Sequence, residues 1–368
     1  MDVALVVHDF DRNNGQGRYC IELTRRLRDR CRFTLYSNTA DPDLLDGIVW
    51  ERIPAWRQRH LTAVFTFLLA VESRLRGREH DLIHAQGLSS WRADVATVHM
   101  VNAARAHRLA PARRRDRLFS QIVTPFERAF YRRPQLRHAI VMARGLGREL
   151  HEEYGWTKPL SVIPHGTDTE QFRPPADAGE RQGLRDRFGV PRDRWVWLFM
   201  GEAVKGLGQV IDRLPGFPSA HLLVVTRSPM ALFQEQARRV GVAERITFHG
   251  FEARPELAYR AADVFVYPSA YDPFGMVATE AMASGLATVI GGDTGAAELV
   301  TEGIDGLLCD PARPATLQAK LARLSADPDA AARLGQAARA TILRHSWEAC
   351  GEATLGVYRT VMETPRLS

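Results

Sequence analysis

Lysine is nearly missing from this chain: of its 49 lysine and arginine residues, only Lys158, Lys205 and Lys320 are lysines. An arginine bias this strong reflects a GC-rich coding sequence. The formal charge of +6 and the pI of 9.4 are therefore weak signs of a nucleic-acid ligand. No basic stretch is interleaved with aromatic residues, so no nucleic-acid partner is expected. Cysteine is scarce as well. Cys20, Cys31, Cys309 and Cys350 fit neither a zinc spacing nor a CxxC pair. The expectation is a reduced, cytoplasmic protein without a metal site. Long apolar runs are also lacking. The best of them, Leu61 to Val71, reads as a buried or interfacial segment rather than a membrane span. The opening Met-Asp-Val-Ala-Leu-Val-Val-His has no basic region before its apolar residues, so it reads as a first core strand and not a signal peptide. GxSxG, HExxH and the P-loop are missing too, which removes the hydrolase, zinc-peptidase and P-loop signatures.

What is present is alternation. The 368 residues suit two domains, and 45% hydrophobic content lets each bury a core. In the first half, strands are expected at Val3–His8, Phe33–Ser37, Asp81–Ala85, Asp94–His99 and His138–Met142, with helical spacing between them, as at Cys20, Leu23, Thr24 and Leu27. A second series follows: Trp195–Met200, His221–Thr226, Ile246–His249, Asp263–Tyr267 and Ala287–Ile290. The fold class is α/β, with two doubly wound, Rossmann-like units. The polar segment Gln171–Pro191, with Pro174 and Pro175, reads as the linker. The expected domains are 1–170 with about 350–368, and 171–349. Ligands of such sheets bind beyond the carboxyl ends of the strands, so two such ends facing each other would make a cleft.

The segment from Tyr267 to Gly285 is the richest in chemistry. A strand ends at Tyr267, a loop carries Asp272, Pro273 and Phe274, and a helix starts near Gly275. The first amides of a helix have no partner within it, and the helix dipole adds positive potential, so Gly275, Met276 and Val277 are candidate diphosphate contacts. Glu280 stands where it could accept hydrogen bonds from a ribose diol. The plainer alternative makes Asp272 a helix cap and Glu280 a surface acid. Gly201-Glu202-Ala203-Val204-Lys205-Gly206 follows another strand, and a cation there stabilises charge on a leaving diphosphate. His99 ends an apolar strand. Gly15 and Gly17 follow the first strand and allow close backbone approach to phosphate or sugar. Their spacing is not GxGxxG, which argues against a dehydrogenase. Arg18 and Arg144 are weaker phosphate or acceptor candidates.

The segment Asp272-Pro273-Phe274-Gly275 with Glu280-Ala281-Met282-Ala283-Ser284-Gly285 resembles the signature of the family-4 retaining glycosyltransferases of GT-B fold. That signature is Glu-x7-Glu; here it is Asp-x7-Glu, with the first acid one methylene shorter. Ile163-Pro164-His165-Gly166-Thr167-Asp168, Arg245 to Gly250, Ala261 to Ser269 and Gly295 to Val300 are similar to further family segments, so the resemblance covers nearly the whole chain. It implies two Rossmann-like domains facing across a cleft, with a C-terminal helix, from Trp347 to Tyr358, crossing back to the first. It implies a UDP- or GDP-sugar donor held by the second domain and a glycan, lipid or small-molecule acceptor. Glu280 would hold the ribose, Gly250 would lie near the nucleobase, Lys205 would meet the diphosphate, and Asp272 and His99 would orient the sugar. The family usually pairs an arginine with that lysine. Here Val204 occupies a commonly basic position, and Arg227 is a candidate replacement. No cofactor and no metal are implied. The basic run Arg105, Arg108, Arg113, Arg114, Arg115 and Arg117 points to an anionic membrane and a lipid or cell-envelope acceptor, with a solvated face as the alternative. A catalytically inactive nucleotide-sugar binder and a GT-B epimerase stay open as alternatives.

Overall fold

A computed structural model describes residues 1–12, 14–58, 60–108 and 114–363. The chain divides into two compact units: Met1–Gly166 with Trp347–Ser368, and Thr167–Ser346. Both crossings lie a few residues before the boundaries expected from the sequence.

The first unit is built on β1 (Asp2–Val6), β2 (Asp9–Phe10), α1 (Gly15–Leu27), β3 (Arg32–Ser37), β4 (Thr39–Ala40), β5 (Val49–Arg52), α2 (His60–Leu75), β6 (Leu82–Gln86), β7 (Val95–Val98), α3 (Asn102–Arg108), α4 (Arg114–Tyr131), β8 (His138–Val141), α5 (Arg144–Tyr154) and β9 (Leu160–Val162). Seven strands form one parallel sheet in the order β5-β3-β1-β6-β7-β8-β9. The order reverses between β1 and β6, the switch point beyond which ligands of such sheets bind. Val3, Ala4, Leu5 and Val6 are fully buried, as a central strand covered on both faces requires. The apolar stretch Leu61–Val71 lies within α2, whose Phe67 and Val71 pack into the core with Val6 and Ile53.

The second unit comprises α6 (Ala178–Phe188), β10 (Trp195–Met200), α7 (Leu207–Arg213), β11 (Ala220–Val225), α8 (Ala231–Arg239), β12 (Ile246–His249), α9 (Glu256–Ala261), β13 (Val264–Tyr267), α10 (Met276–Ala283), β14 (Ala287–Gly291), β15 (Leu307–Cys309), α11 (Pro314–Ala326) and α12 (Pro328–Ile342). Its six-stranded sheet runs β12-β11-β10-β13-β14-β15, again parallel and reversing between the first strand, β10, and the fourth, β13. The segment read as a linker is half helix. Asp177 caps α6 by accepting from the amide of Glu180, and Gly189 ends it in the left-handed region at φ 65°. The helix hides from hydrophobic periodicity because a buried arginine anchors it. Arg185 bonds to the Ala261 carbonyl at 3.1 Å and to Asp263 at 2.6 Å.

The last helix, α13 (Trp347–Glu363), belongs to the first unit and packs on α1. Arg26 reaches Glu348 at 3.0 Å, and Arg30 pairs with Glu352. Among the described residues all four cysteines are free and buried, and no helix is long and apolar enough to cross a membrane.

Candidate active site

In the second unit the two loops that flank the switch point carry the expected residues. After β10, Gly201 turns at φ 121°, a short 3-10 turn spans Ala203–Lys205, and Gly206 turns again at φ 108°. A side chain at Gly206 would stand 2.7 Å from the Pro268 carbonyl oxygen, so only glycine lets the two loops touch. That contact brings Lys205 to the β13 loop, where its Nζ lies 2.8 Å from Oδ2 of Asp272. The Tyr267 hydroxyl donates to the same oxygen at 2.8 Å, and the Phe274 amide donates to Oδ1 at 3.3 Å. Burial, and then the charge of Asp272, hold the Tyr267 phenol well above its ordinary pKa, so it stays a neutral donor.

The β13 loop is strapped to the segment after β14. Gly295 N donates to the Asp272 carbonyl at 2.9 Å, and Ala296 N to the Phe274 carbonyl at 2.6 Å. A Cβ at Gly291 would meet the Ser269 carbonyl oxygen at 2.1 Å, and one at Gly295 would meet that of Pro273 at 2.2 Å. The strap fixes Gly275, left-handed at φ 86°, as the cap of α10. The amides of Gly275, Met276 and Val277 occupy the helix end, whose N–H groups have no partner within the helix. Phe274 is buried, and its main chain joins the loop at both ends, its amide donating to Asp272 and its carbonyl accepting from Ala296 N. Glu280 is buried, not a surface acid, and its Oε2 lies 2.9 Å from the Tyr259 hydroxyl. Val204 is 73% exposed. Arg227 stacks its guanidinium 4.0 Å over Phe251, next to Gly250 at the end of β12, where there is open space for a side chain. That placement puts the arginine beside the β12 end of the sheet.

In the first unit, Asn14 caps α1 by accepting from the Gly17 amide at 2.7 Å. Gly15 is exposed at the helix start. Gly17 serves packing: a Cβ there would stand 2.3 Å from the Asp11 carbonyl oxygen. Asn13 lies outside the described residues. His99 follows β7 and meets Gln86 at 2.7 Å. Tyr19 on α1 stacks on His165 with centroids 5.1 Å apart and meets His99 edge-on at 5.6 Å. Burial drives the His99 pKa down to about 3, and burial followed by the charges of His99 and Arg18 holds His165 well below its usual value. Arg18 is thus near the histidines, whereas Arg144 is exposed at the start of α5. Sequence reading missed Gln86, Tyr19, Tyr259 and Tyr267 as partners. The one available signal is position: Gln86 and Tyr267 each end a strand. Of the basic run, Arg108 pairs with Glu149 at 3.4 Å. Arg113 lies outside the described residues, as do the side chains of Arg114, Arg115 and Arg117. Among the described residues, no cluster of three or more His, Cys, Asp or Glu could hold a metal ion.

Comparisons with known proteins give the family and the fold. Residues 180–341 match the family "Glycosyl transferases group 1", and residues 13–171 match "Glycosyltransferase Family 4". A D-inositol 3-phosphate glycosyltransferase of Xylanimonas cellulosilytica is 29% identical over 384 aligned positions, covering 94% of this chain and 91% of that protein. The fold matches sucrose-phosphate synthase from Thermosynechococcus elongatus (TM-score 0.81, 22% identity, 99% of each chain). It also matches HepE of Anabaena, solved with UDP and glucose (TM-score 0.78, 20% identity, 98% of this chain and 100% of that one). With both halves matched in sequence and the double Rossmann-like architecture in place, the chain belongs to the group 1, family-4 glycosyltransferases of GT-B fold.

Proposed function

We propose that this glycosyltransferase is a retaining, metal-independent enzyme that moves a sugar from a UDP- or GDP-sugar to a hydroxyl acceptor. The observation that carries the reading is the convergence of Lys205, the first amides of α10 and the buried Glu280 at the switch point of the second sheet. Glu280 accepts from the ribose diol, held at the right angle by Tyr259. Lys205 and the α10 amides neutralise the diphosphate as it leaves, in a place already shaped for that charge. Asp272 and His99 orient the sugar, and Asp272 at the same time fixes Lys205. The departing phosphate oxygen takes the acceptor's proton while the new glycosidic bond forms on the face that the phosphate vacates, so configuration is kept without a protein nucleophile. The acceptor is met by the first unit. A lipid or cell-envelope acceptor rests on the basic run alone, and liposome sedimentation with and without anionic lipid tests it.

Binding and slow hydrolysis of UDP-, GDP- and ADP-sugars, with Glu280→Ala alongside, test the central reading. One nucleotide should bind and turn over, and Glu280→Ala should weaken it about 10- to 100-fold, the worth of a hydrogen bond to a charged group. No binding to any of the three would overturn the assignment.

A further inference from the structure

Gln86 ends β6, beside the switch point of the first sheet, and its carboxamide lies between two imidazoles. Its Oε1 is 2.7 Å from Nε2 of His99, and its Nε2 is 3.4 Å from Nε2 of His84. Nδ1 of His84 is in turn 2.7 Å from the Tyr358 hydroxyl on α13. Gln86, His84 and Tyr358 are buried, and His99 is partly buried.

A carboxamide has a fixed polarity: its oxygen only accepts and its nitrogen only donates. With the oxygen toward His99, Nε2 of His99 must carry the proton and donate. With the nitrogen toward His84, Nε2 of His84 must accept, which puts that ring's proton on Nδ1, facing Tyr358. Thr97 Oγ1 is 2.8 Å from the same His84 nitrogen and 3.3 Å from the Tyr19 hydroxyl; in this arrangement Thr97 donates to His84 and accepts from Tyr19, both partners of that second bond being hydroxyls. Donors and acceptors then alternate from His99 through Gln86 and His84 to Tyr358. The Tyr19 ring at 5.6 Å and the His165 ring at 5.8 Å confine the His99 imidazole from its sides.

We propose that Gln86 is a positioning residue that holds His99 in its neutral Nε2–H tautomer, so that Nδ1 is left as the acceptor for a hydroxyl of the transferred sugar. The second clause rests on the reading of His99 given above; the first does not. A neutral acceptor discriminates by geometry, because it takes a hydrogen bond only from a hydroxyl placed in the ring plane. An imidazolium would offer a donor instead and repel the cationic character that the sugar gains as it departs. The titratable groups around the ring are His84, His165 and Tyr19, and Arg18 is the charged group near His165.

Side-chain ¹⁵N spectra of the full chain test the tautomer directly, with His99 identified by the signal lost in His99→Gln. The wild type should show Nε2–H. Gln86→Met, apolar and of similar shape, should let the Nδ1–H form appear. Gln86→Glu should keep Nε2–H and raise the His99 titration by at least one pH unit, about the effect of a facing carboxylate. A wild-type Nδ1–H form, or an unchanged tautomer in Gln86→Met, overturns the proposal. In donor hydrolysis, Gln86→Met should lose about tenfold in kcat with little change in KM, and Gln86→Glu should gain an acid limb in its pH profile. If the tautomers behave as stated but His99→Gln hydrolyses donor at the wild-type rate, the sugar contact of His99 falls and the role of Gln86 in fixing the ring stands.

Discussion

Asp272 departs from the family pattern by one methylene, and its carboxylate is satisfied from three directions, by Lys205, Tyr267 and the Phe274 amide. Removing one partner of so enclosed a pair leaves the other charge without compensation. Lys205→Ala is therefore expected to destabilise the protein by about 1–3 kcal/mol in thermal melts, and adding Asp272→Asn should return part of that loss. The histidines of the first unit give a second expectation. Burial lowers His84 and His99 to about 3, so both are neutral when folded but bind protons below 6.5 when unfolded. Their contribution to stability is full above pH 6.5 and is lost as pH falls toward 3. The unfolding free energy from denaturant titrations should drop between pH 6.5 and 5, by up to about 1.4 kcal/mol per pH unit per histidine, and His84→Gln should flatten that slope. Lys205, Glu280 and His99 were legible as candidates because each sits at a fixed offset from a strand end or a glycine and because the segments around them resemble the family's. Gln86, Tyr259 and Tyr267 were not, because what marks them is the neighbour that the fold brings to them.

Among the elements, the central strands announced themselves, and of the sheet edges only β12, expected at Ile246–His249, did so. β1, β10 and β13 are buried on both faces and read as short apolar runs. β5 and β9 lie at the two edges of the first sheet and β15 at one edge of the second. Val49 and Val162 on the first two are 54% and 40% exposed, so no run of burial distinguishes those strands from loops. The strap between the β13 loop and the segment after β14 makes its own prediction. Gly295→Ala would drive a methyl group into the Pro273 carbonyl, and the loop must move to admit it. The expected result is a loss of about 1–3 kcal/mol in stability together with at least tenfold weaker donor binding in calorimetry. Wild-type binding in that variant would detach the strap from the site.

For the whole molecule, the chain starts one unit, builds the other, and returns to finish the first. Trp347 and Tyr358 bring aromatic rings from α13 to the His165 and His84 region. Removing residues 347–368 should unfold the first unit and spare the second, whose core from Phe172 to Ile342 is its own. Limited proteolysis is the check: a fragment near 167–346 should survive, and it should still retain nucleotide on a UDP- or GDP-linked resin. The two-unit plan was readable from the repeated alternation of strand and helix, whereas the crossings had to be placed by contacts.

The scarcity of lysine makes the loop that carries Lys205 unusually addressable. The Lys158 amine is bound by the carbonyls of Arg133 and Leu136, and Lys320 is tied to Glu302. Lys205, paired but with its side chain 27% exposed, is the lysine placed where a nucleotide's phosphates are expected. Besides Lys205, an aldehyde-bearing nucleotide analogue meets only the other two lysines and the exposed α-amine of Met1, so reductive tagging followed by peptide mapping distinguishes a label on this loop from one at the chain start.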